Sequence, residues 1–145
     1  MKSNTQTDTF GNRGFSLIEL MVAVAIVGIL AGIGIPSYRE YVRRGDAEEA
    51  VAGLASGRVA IEQYFLDNRT YLGLNLGTPS SCPTSSNASF TYACSNLSAS
   101  TYTLTATGTG SMSGFSYTIN QANRRTTTSP WGNGNCWILK KGGSC

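Results

Sequence analysis

The sequence predicts an α+β fold: one long N-terminal α-helix, its first half membrane-spanning, packed on a small antiparallel β-sheet. Three observations predict it. From Phe15 to Ile35 every residue is apolar or small except Glu19. After Pro36 the apolar residues Ala47, Val51, Leu54, Ile61 and Phe65 recur at helical spacing along one stripe, which Arg58 interrupts. Beyond residue 89, three short segments alternate apolar and polar side chains, the pattern of half-buried antiparallel strands.

The apolar run comes first. A bilayer core takes roughly 20 helical residues, and this run is that long. It has no polar face, unlike the helices of soluble cores. A lone carboxylate in hydrocarbon is costly unless it is paired, so Glu19 needs a cation. Upstream lies a polar stretch with Lys2 and Arg13 against Asp8, ending at Gly14. An ordinary secretory signal places its small-residue cleavage site after the apolar run. Here the small residue at the sharp boundary, Gly14, precedes it. A cut between Gly14 and Phe15 keeps the anchor and creates an α-amine on Phe15. That amine lies four residues from Glu19 and is its natural counter-charge, on the same helix or on a neighbouring subunit. The expected division is therefore a leader at 1–14, a transmembrane and assembly helix at 15–36 and a head domain at 37–145. Within the run, Gly28 and Gly32 permit close helix approach. Gly34 and Pro36 weaken the helix further on, proline by removing a backbone bond and clashing with the preceding turn. Gly28, Gly34 and Pro36 are thus the candidate kink residues.

One helix from about 16 to about 66 is the economical reading. Arg39, Glu40, Arg43, Arg44, Asp46, Glu48, Glu49 and Glu62 cover the rest of its second half, and Arg58 can snorkel. Asp67 to Gly73 supplies turn formers that end it. Residues 73–89, rich in Gly, Ser, Thr, Pro and Asn, read as a loop. Phe90 and Tyr92, then Tyr102, Leu104 and Ala106, then Phe115, Tyr117 and Ile119 form the apolar faces of the three strands. Threonines fill the opposite face of the second. Gly108, Gly110 and Gly114 mark the turn between the last two. A final strand is expected near Cys136–Leu139. The helix stripe is the one partner of suitable length for the sheet's apolar face.

Charge is unevenly distributed. The chain has 145 residues and a formal net charge of +3, yet all eight acids lie at or before Asp67. After Asn68 the charged residues are Arg69, Arg124, Arg125, Lys140 and Lys141. Such sparse cations describe a solvent-facing surface. As a phosphate-contacting patch, Arg124, Arg125, Lys140 and Lys141 are the candidate DNA contacts. With no histidine and its acids on the helix, the chain offers no acid–base constellation, phosphate loop or nucleophile elbow, so an enzyme is not expected. No cofactor is expected either. Asn68, Asn87 and Asn96 open glycosylation-type triplets that read as plain surface loops. The four cysteines, Cys82, Cys94, Cys136 and Cys145, read as two disulfides in an exported domain, not as a zinc site. Three pairings are possible. The sequential one, Cys82 with Cys94 and Cys136 with Cys145, closes two short loops and is the expectation.

Gly14-Phe15-Ser16-Leu17-Ile18-Glu19, followed by an apolar helix with Pro36 at its end, resembles the N-terminal signal of type IV pilins and pseudopilins. The likeness is strong over residues 14–45 and general beyond. Cys136-Trp137 to Gly142-Gly143-Ser144-Cys145 is similar to the disulfide-bounded C-terminal loop of type IV pilins, especially the minor pilins. The resemblance implies that a prepilin peptidase cuts after Gly14 and N-methylates Phe15, that Glu19 guides subunits into a filament, and that the stretch from Gly28 to Pro36 can unwind there. It implies insertion in the inner membrane as a prepilin, a periplasmic or extracellular head, and assembly on an inner-membrane platform into a pilus for adhesion and twitching motility. Implied partners are other pilin subunits, the peptidase, the platform and membrane lipid. Two alternatives stand beside this. A type II secretion pseudopilin is disfavoured because the calcium implied for its major form needs clustered distal carboxylates, and none follow Asp67. A DNA-binding minor pilin for natural transformation would use the four distal cations. Arg39, Arg43 and Arg44 flank the far side of the apolar run and by charge alone would hold that side in the cytoplasm. The resemblance implies the reverse, and disulfides require an oxidising compartment.

Overall fold

A computed structural model of the chain describes residues 14–74, Cys82 and residues 87–145. The leader up to Arg13 lies outside the described residues. One helix, α1 (Leu17–Asn68), is followed by five strands: β1 (Phe90–Ser95), β2 (Thr103–Gly108), β3 (Ser116–Asn120), β4 (Arg125–Ser129) and β5 (Gly132–Gly134). A single 3-10 turn, Gly110–Met112, lies between β2 and β3. The strands form an antiparallel sheet in the order β1-β2-β3-β4-β5, each paired with its sequence neighbour. The chain divides into two compact units, Met1–Tyr38 and Arg39–Cys145.

In the first unit, α1 is assigned helical without a break through Gly28, Gly34 and Pro36. Pro36 has no N–H to give the carbonyl of Gly32, yet it does not end the helix. The large side chains from Leu17 to Ile35 are exposed all round. Among the described residues, this is the helix long and apolar enough to cross a membrane.

In the second unit the helix is one-sided. Ala47, Ala50, Leu54, Gly57 and Ile61, at alternating spacings of three and four, are its buried residues. Ala47, Ala50, Leu54 and Ile61 share a core with Phe90 and Tyr92 of β1, Leu104 and Ala106 of β2, and Tyr117 and Ile119 of β3. Fully burying a side chain such as Leu54 or Ile61 contributes about 1.5–3 kcal/mol. Close approach of sheet to helix depends on Gly53, where a Cβ would collide with the Tyr92 ring and hydroxyl. The freed space lets Tyr92 reach the carbonyl of Ala50, to which its hydroxyl donates at 3.4 Å.

The last part of the sheet differs from expectation. Residues 136–139 are not a strand; the sheet instead ends in β4 and β5. The inward residue of β4 is Thr127, a threonine only 2% exposed, so no apolar alternation marks this strand. Its hydroxyl donates to the Cys136 carbonyl at 2.7 Å and accepts from the Ile138 N–H at 3.0 Å. The Tyr117 hydroxyl donates to the Ile138 carbonyl at 3.1 Å. With its backbone groups taken by side chains, this segment has no ladder to join. The disulfides are Cys82–Cys94 and Cys136–Cys145.

Candidate functional site

Two regions carry the candidate residues. At the start of the described chain, Gly14–Ser16 precede α1 without regular structure. Phe15 is 79% exposed. Glu19 lies in the first turn of α1, where the unpaired N–H groups of the helix favour an acid. The Gly14–Phe15 boundary is therefore exposed chain leading directly into a helix. Glu19 follows Phe15 by about one helical turn.

The second region lies around Trp137. Asn120 and Asn123 build the turn before β4. The Asn120 side-chain oxygen accepts from the N–H groups of Ala122 at 3.1 Å and Arg124 at 2.9 Å, and Asn123 takes a positive φ of 55°. Asn tolerates that conformation better than most residues. The turn delivers Arg124 and Arg125. Arg125 stacks its guanidinium over the Trp137 ring at 4.5 Å. Trp137 is held by an indole N–H donated to the Thr118 carbonyl at 3.0 Å and by the Cys136–Cys145 bond beside it.

Trp137 lines two cavities. One, of about 690 Å³, runs between α1 and the sheet, with Arg58, Val59, Glu62 and Leu66 facing Ile119, Arg125 and Trp137. The other, of about 480 Å³, lies between Arg44 and Glu48 of α1 and the loop carrying Lys140. The four distal cations of the sequence reading do not all line one cavity. Arg125 enters the first cavity and Lys140 the second, while Arg124 and Lys141 are exposed and line neither. Arg44 and Arg58 join them instead. The sequence signal for Arg58 was its interruption of the apolar stripe.

Charge in the larger cavity is set by a small network. Glu62 accepts from the Tyr102 hydroxyl at 3.0 Å and the Tyr71 hydroxyl at 3.1 Å, and Arg58 lies 3.8 Å away. Burial, then the Glu62 charge and its hydrogen bond, push the Tyr102 hydroxyl well above the ordinary tyrosine range. Burial and the Glu62 hydrogen bond raise Tyr71 in the same direction. Both phenols thus stay neutral donors, and they share Glu62 with Arg58. Arg58 and Arg125 together offer cationic donors over an apolar floor. In the smaller cavity Arg44 pairs with Glu48 at 3.2 Å, both side chains more than half exposed. Such a pair is easily opened by a competing anion.

A long apolar helix followed by an antiparallel sheet and a disulfide-closed loop together define a pilin-type subunit. Residues 10–35 match the prokaryotic N-terminal methylation motif. Residues 36–126 match the family described as type IV minor pilin ComP, DNA uptake sequence receptor, and the chain belongs to that family. It is 42% identical over 84 residues to the type IV major fimbrial protein FimA of Dichelobacter nodosus, covering 53% of this chain and 52% of the relative. It is 40% identical over 58 residues to fimbrial protein Q of Moraxella bovis, covering 40% and 37%. To the type IV major pilin PilE1 of Neisseria gonorrhoeae it is 41% identical over 56 residues, covering 39% and 34%. The matched part thus spans about a third to a half of these relatives' length.

Proposed function

We propose that this chain is a structural subunit of a type IV pilus. In this reading it is inserted in the inner membrane as a prepilin, cleaved after Gly14, N-methylated on Phe15 and assembled, with other pilin subunits, on an inner-membrane platform into an extracellular filament for adhesion and twitching motility. The observation that carries the reading is the methylation-motif match across residues 10–35, where Gly14-Phe15 stands before the apolar helix and Glu19 is its one acid. Glu19 then pairs with the Phe15 amine of a neighbouring subunit. The low dielectric penalises any register that leaves the acid unpaired. Gly28 to Pro36 supplies the weak stretch of helix that can unwind on assembly. Mass spectrometry of the assembled protein tests the processing: a mature chain beginning with methylated Phe15 is expected, and Met1 retained in filaments would sink the reading. For Glu19→Val, insertion and processing are expected with poor entry into filaments. Entry at the wild-type ratio would remove Glu19 from assembly.

A second reading, a minor pilin that binds DNA for natural transformation, is supported by the ComP family match and by Arg58, Arg125, Arg44 and Lys140 lining the cavities around Trp137. Phosphate contacts by these cations release counterions, so affinity must fall steeply with salt. Undetectable binding of duplex DNA at low salt would exclude it.

A further inference from the structure

We propose that the larger cleft beside Trp137, between α1 and the sheet, is a binding site for a small aromatic carboxylate. Arg58, Val59, Glu62 and Leu66 of α1 face Arg125 and Trp137 across it. Its volume, about 690 Å³, falls within the roughly 300–1,000 Å³ usual for small-molecule sites. Its lining supplies both halves of such a ligand's chemistry, an apolar wall and unspent cationic donors.

The apolar wall comes from the helix. Between Arg43 and Asn68, the large apolar side chains that α1 leaves mostly exposed are Val59, at 67%, and Leu66, at 66%. They stand two helical turns apart on one face, and both line this cleft. Val51, Leu54, Ile61 and Phe65 of the same stretch pack in or against the core. Scattered exposed apolar residues need no explanation, whereas apolar surface gathered in a concavity marks a ligand groove.

The donors come from two arginines. A guanidinium carries five N–H donors in a planar fork that matches a carboxylate. Arg58 approaches Glu62 through Nε at 3.8 Å, beyond hydrogen-bond distance. One Nη of Arg125 donates to the Asn123 side-chain oxygen at 3.5 Å, a long and weak bond. Each arginine therefore keeps strong donors for a ligand. Two guanidiniums against the one carboxylate of Glu62 leave the cleft a formal charge of +1. A monoanion balances that charge, while a phosphate dianion meets Glu62 as a like charge.

The aromatic body follows from the flat groups already in place. The Trp137 ring is fixed by its N–H bond to the Thr118 carbonyl at 3.0 Å, and the Arg125 guanidinium lies over it at 4.5 Å. Guanidiniums and rings stack on one another. An aryl group can extend that stack, which an alkyl chain cannot. The DNA reading assigns Arg58 and Arg125 to phosphate contacts, for which an aryl group has no value. Dependence on the ring therefore separates the two.

The test is equilibrium dialysis of 1-naphthoate against the full chain in neutral detergent micelles, with empty micelles subtracted. Saturable binding is expected. Arg58→Gln and Arg125→Gln should each weaken it about tenfold or more, as the loss of a charge-assisted hydrogen bond does. Glu62→Gln, which keeps an acceptor for the two tyrosines, should strengthen it and should let 1-naphthyl phosphate bind, which the wild type should bind poorly. Uncharged 1-naphthylmethanol should bind far more weakly, and acetate should not displace naphthoate. Unfolding midpoints close to wild type certify the variants, and Arg125→Gln decides alone if Arg58→Gln does not fold. The inference is overturned by binding no greater than to empty micelles, by arginine variants that bind like wild type, by naphthylmethanol binding as well as naphthoate, or by acetate competing as well as naphthoate itself. The inference stands apart from the pilus and DNA readings. A chain that enters filaments or binds duplex DNA but takes no naphthoate removes it and leaves them in place.

Discussion

The two halves of α1 are one helix in two solvents. From Leu17 to Ile35 its large apolar side chains are exposed on every side. From Ala47 to Ile61 it buries one narrow stripe and keeps charges elsewhere. The backbone is the same. What differs is the partner each half requires: lipid or neighbouring helices for the first, and the sheet of its own chain for the second. Amphipathicity alone therefore tells where one chain folds by itself and where it needs company. Glu19 and Arg58 make the same point from the polar side. Each is a charge in or beside an apolar stretch. Arg58 has Glu62 within its own head, whereas the counter-charge proposed for Glu19 is the Phe15 amine that cleavage would create.

The sharpest way to break the comparison is to remove bulk from each half. Ile61 is fully buried, so Ile61→Ala is expected to destabilise the head by about 2–5 kcal/mol. Ile26→Ala, in the first unit, should leave head unfolding within about 0.5 kcal/mol of wild type, as surface changes do. Chemical unfolding of the full chain in detergent, followed by tryptophan fluorescence, reads both. Equal effects would mean that the two halves do not stabilise the fold independently.

A smaller effect comes from the tyrosines. Burial pushes the Tyr117 hydroxyl up to about 12. Its neutral form is the one the core accepts, so its contribution is complete below the unfolded value near 10 and is lost as pH rises to about 12. At roughly 1.4 kcal/mol per unit, Tyr117 by itself should account for a loss of about 2–3 kcal/mol across that window. Tyr117→Phe should make that part of the pH profile shallower, with Tyr102 still contributing to the fall, and an unchanged profile would count against the buried neutral phenol. Gly53 offers a third test. Gly53→Ala places a methyl where the Tyr92 ring lies, and overpacking of this kind costs about 1–3 kcal/mol. Pairing it with Tyr92→Phe, which removes the hydroxyl nearest that methyl, should recover part of the loss. No recovery would place the strain elsewhere.

Much of this was legible in the sequence. The helix, the first three strands and their inward residues follow from periodicity, because apolar residues occupy every buried position in β1 to β3. Strand β4 was not legible, since its inward residue is Thr127 between Arg125 and Ser129, and polar runs read as loops. Residues 136–139 looked like a strand because Trp137, Ile138 and Leu139 are apolar. Only the side-chain bonds from Thr127 and Tyr117 show where their backbone groups go. The threonine alternation of β2 was visible on its own strand. Its alignment with β1, β3 and β4 was not, because register depends on turn lengths that composition does not specify. At the cationic surface, Arg125 and Lys140 were visible as charges. Their separation around Trp137, and the recruitment of Arg44 and Arg58 from α1, depend on how the helix meets the sheet.

The smallest expected effect on stability separates residues held for packing from residues free to bind. Arg44 and Glu48 form an exposed pair four residues apart on α1. Such pairs contribute about 0.3–0.5 kcal/mol, and less when the cation precedes the acid, as here, because each charge then opposes the helix dipole. Arg44→Gln should therefore leave the unfolding midpoint nearly unmoved. If the cavity that Arg44 shares with Lys140 holds a DNA phosphate, the same substitution should weaken DNA binding and lower the slope of log affinity against log salt by about 1. Ile61→Ala, by contrast, should change stability and leave that slope alone. Measuring both quantities on both variants turns the contrast between stripe and surface into a two-by-two test. An Arg44→Gln protein with a lowered midpoint would show that this arginine belongs to the packed half of the comparison. An unchanged salt slope would remove it from the DNA reading.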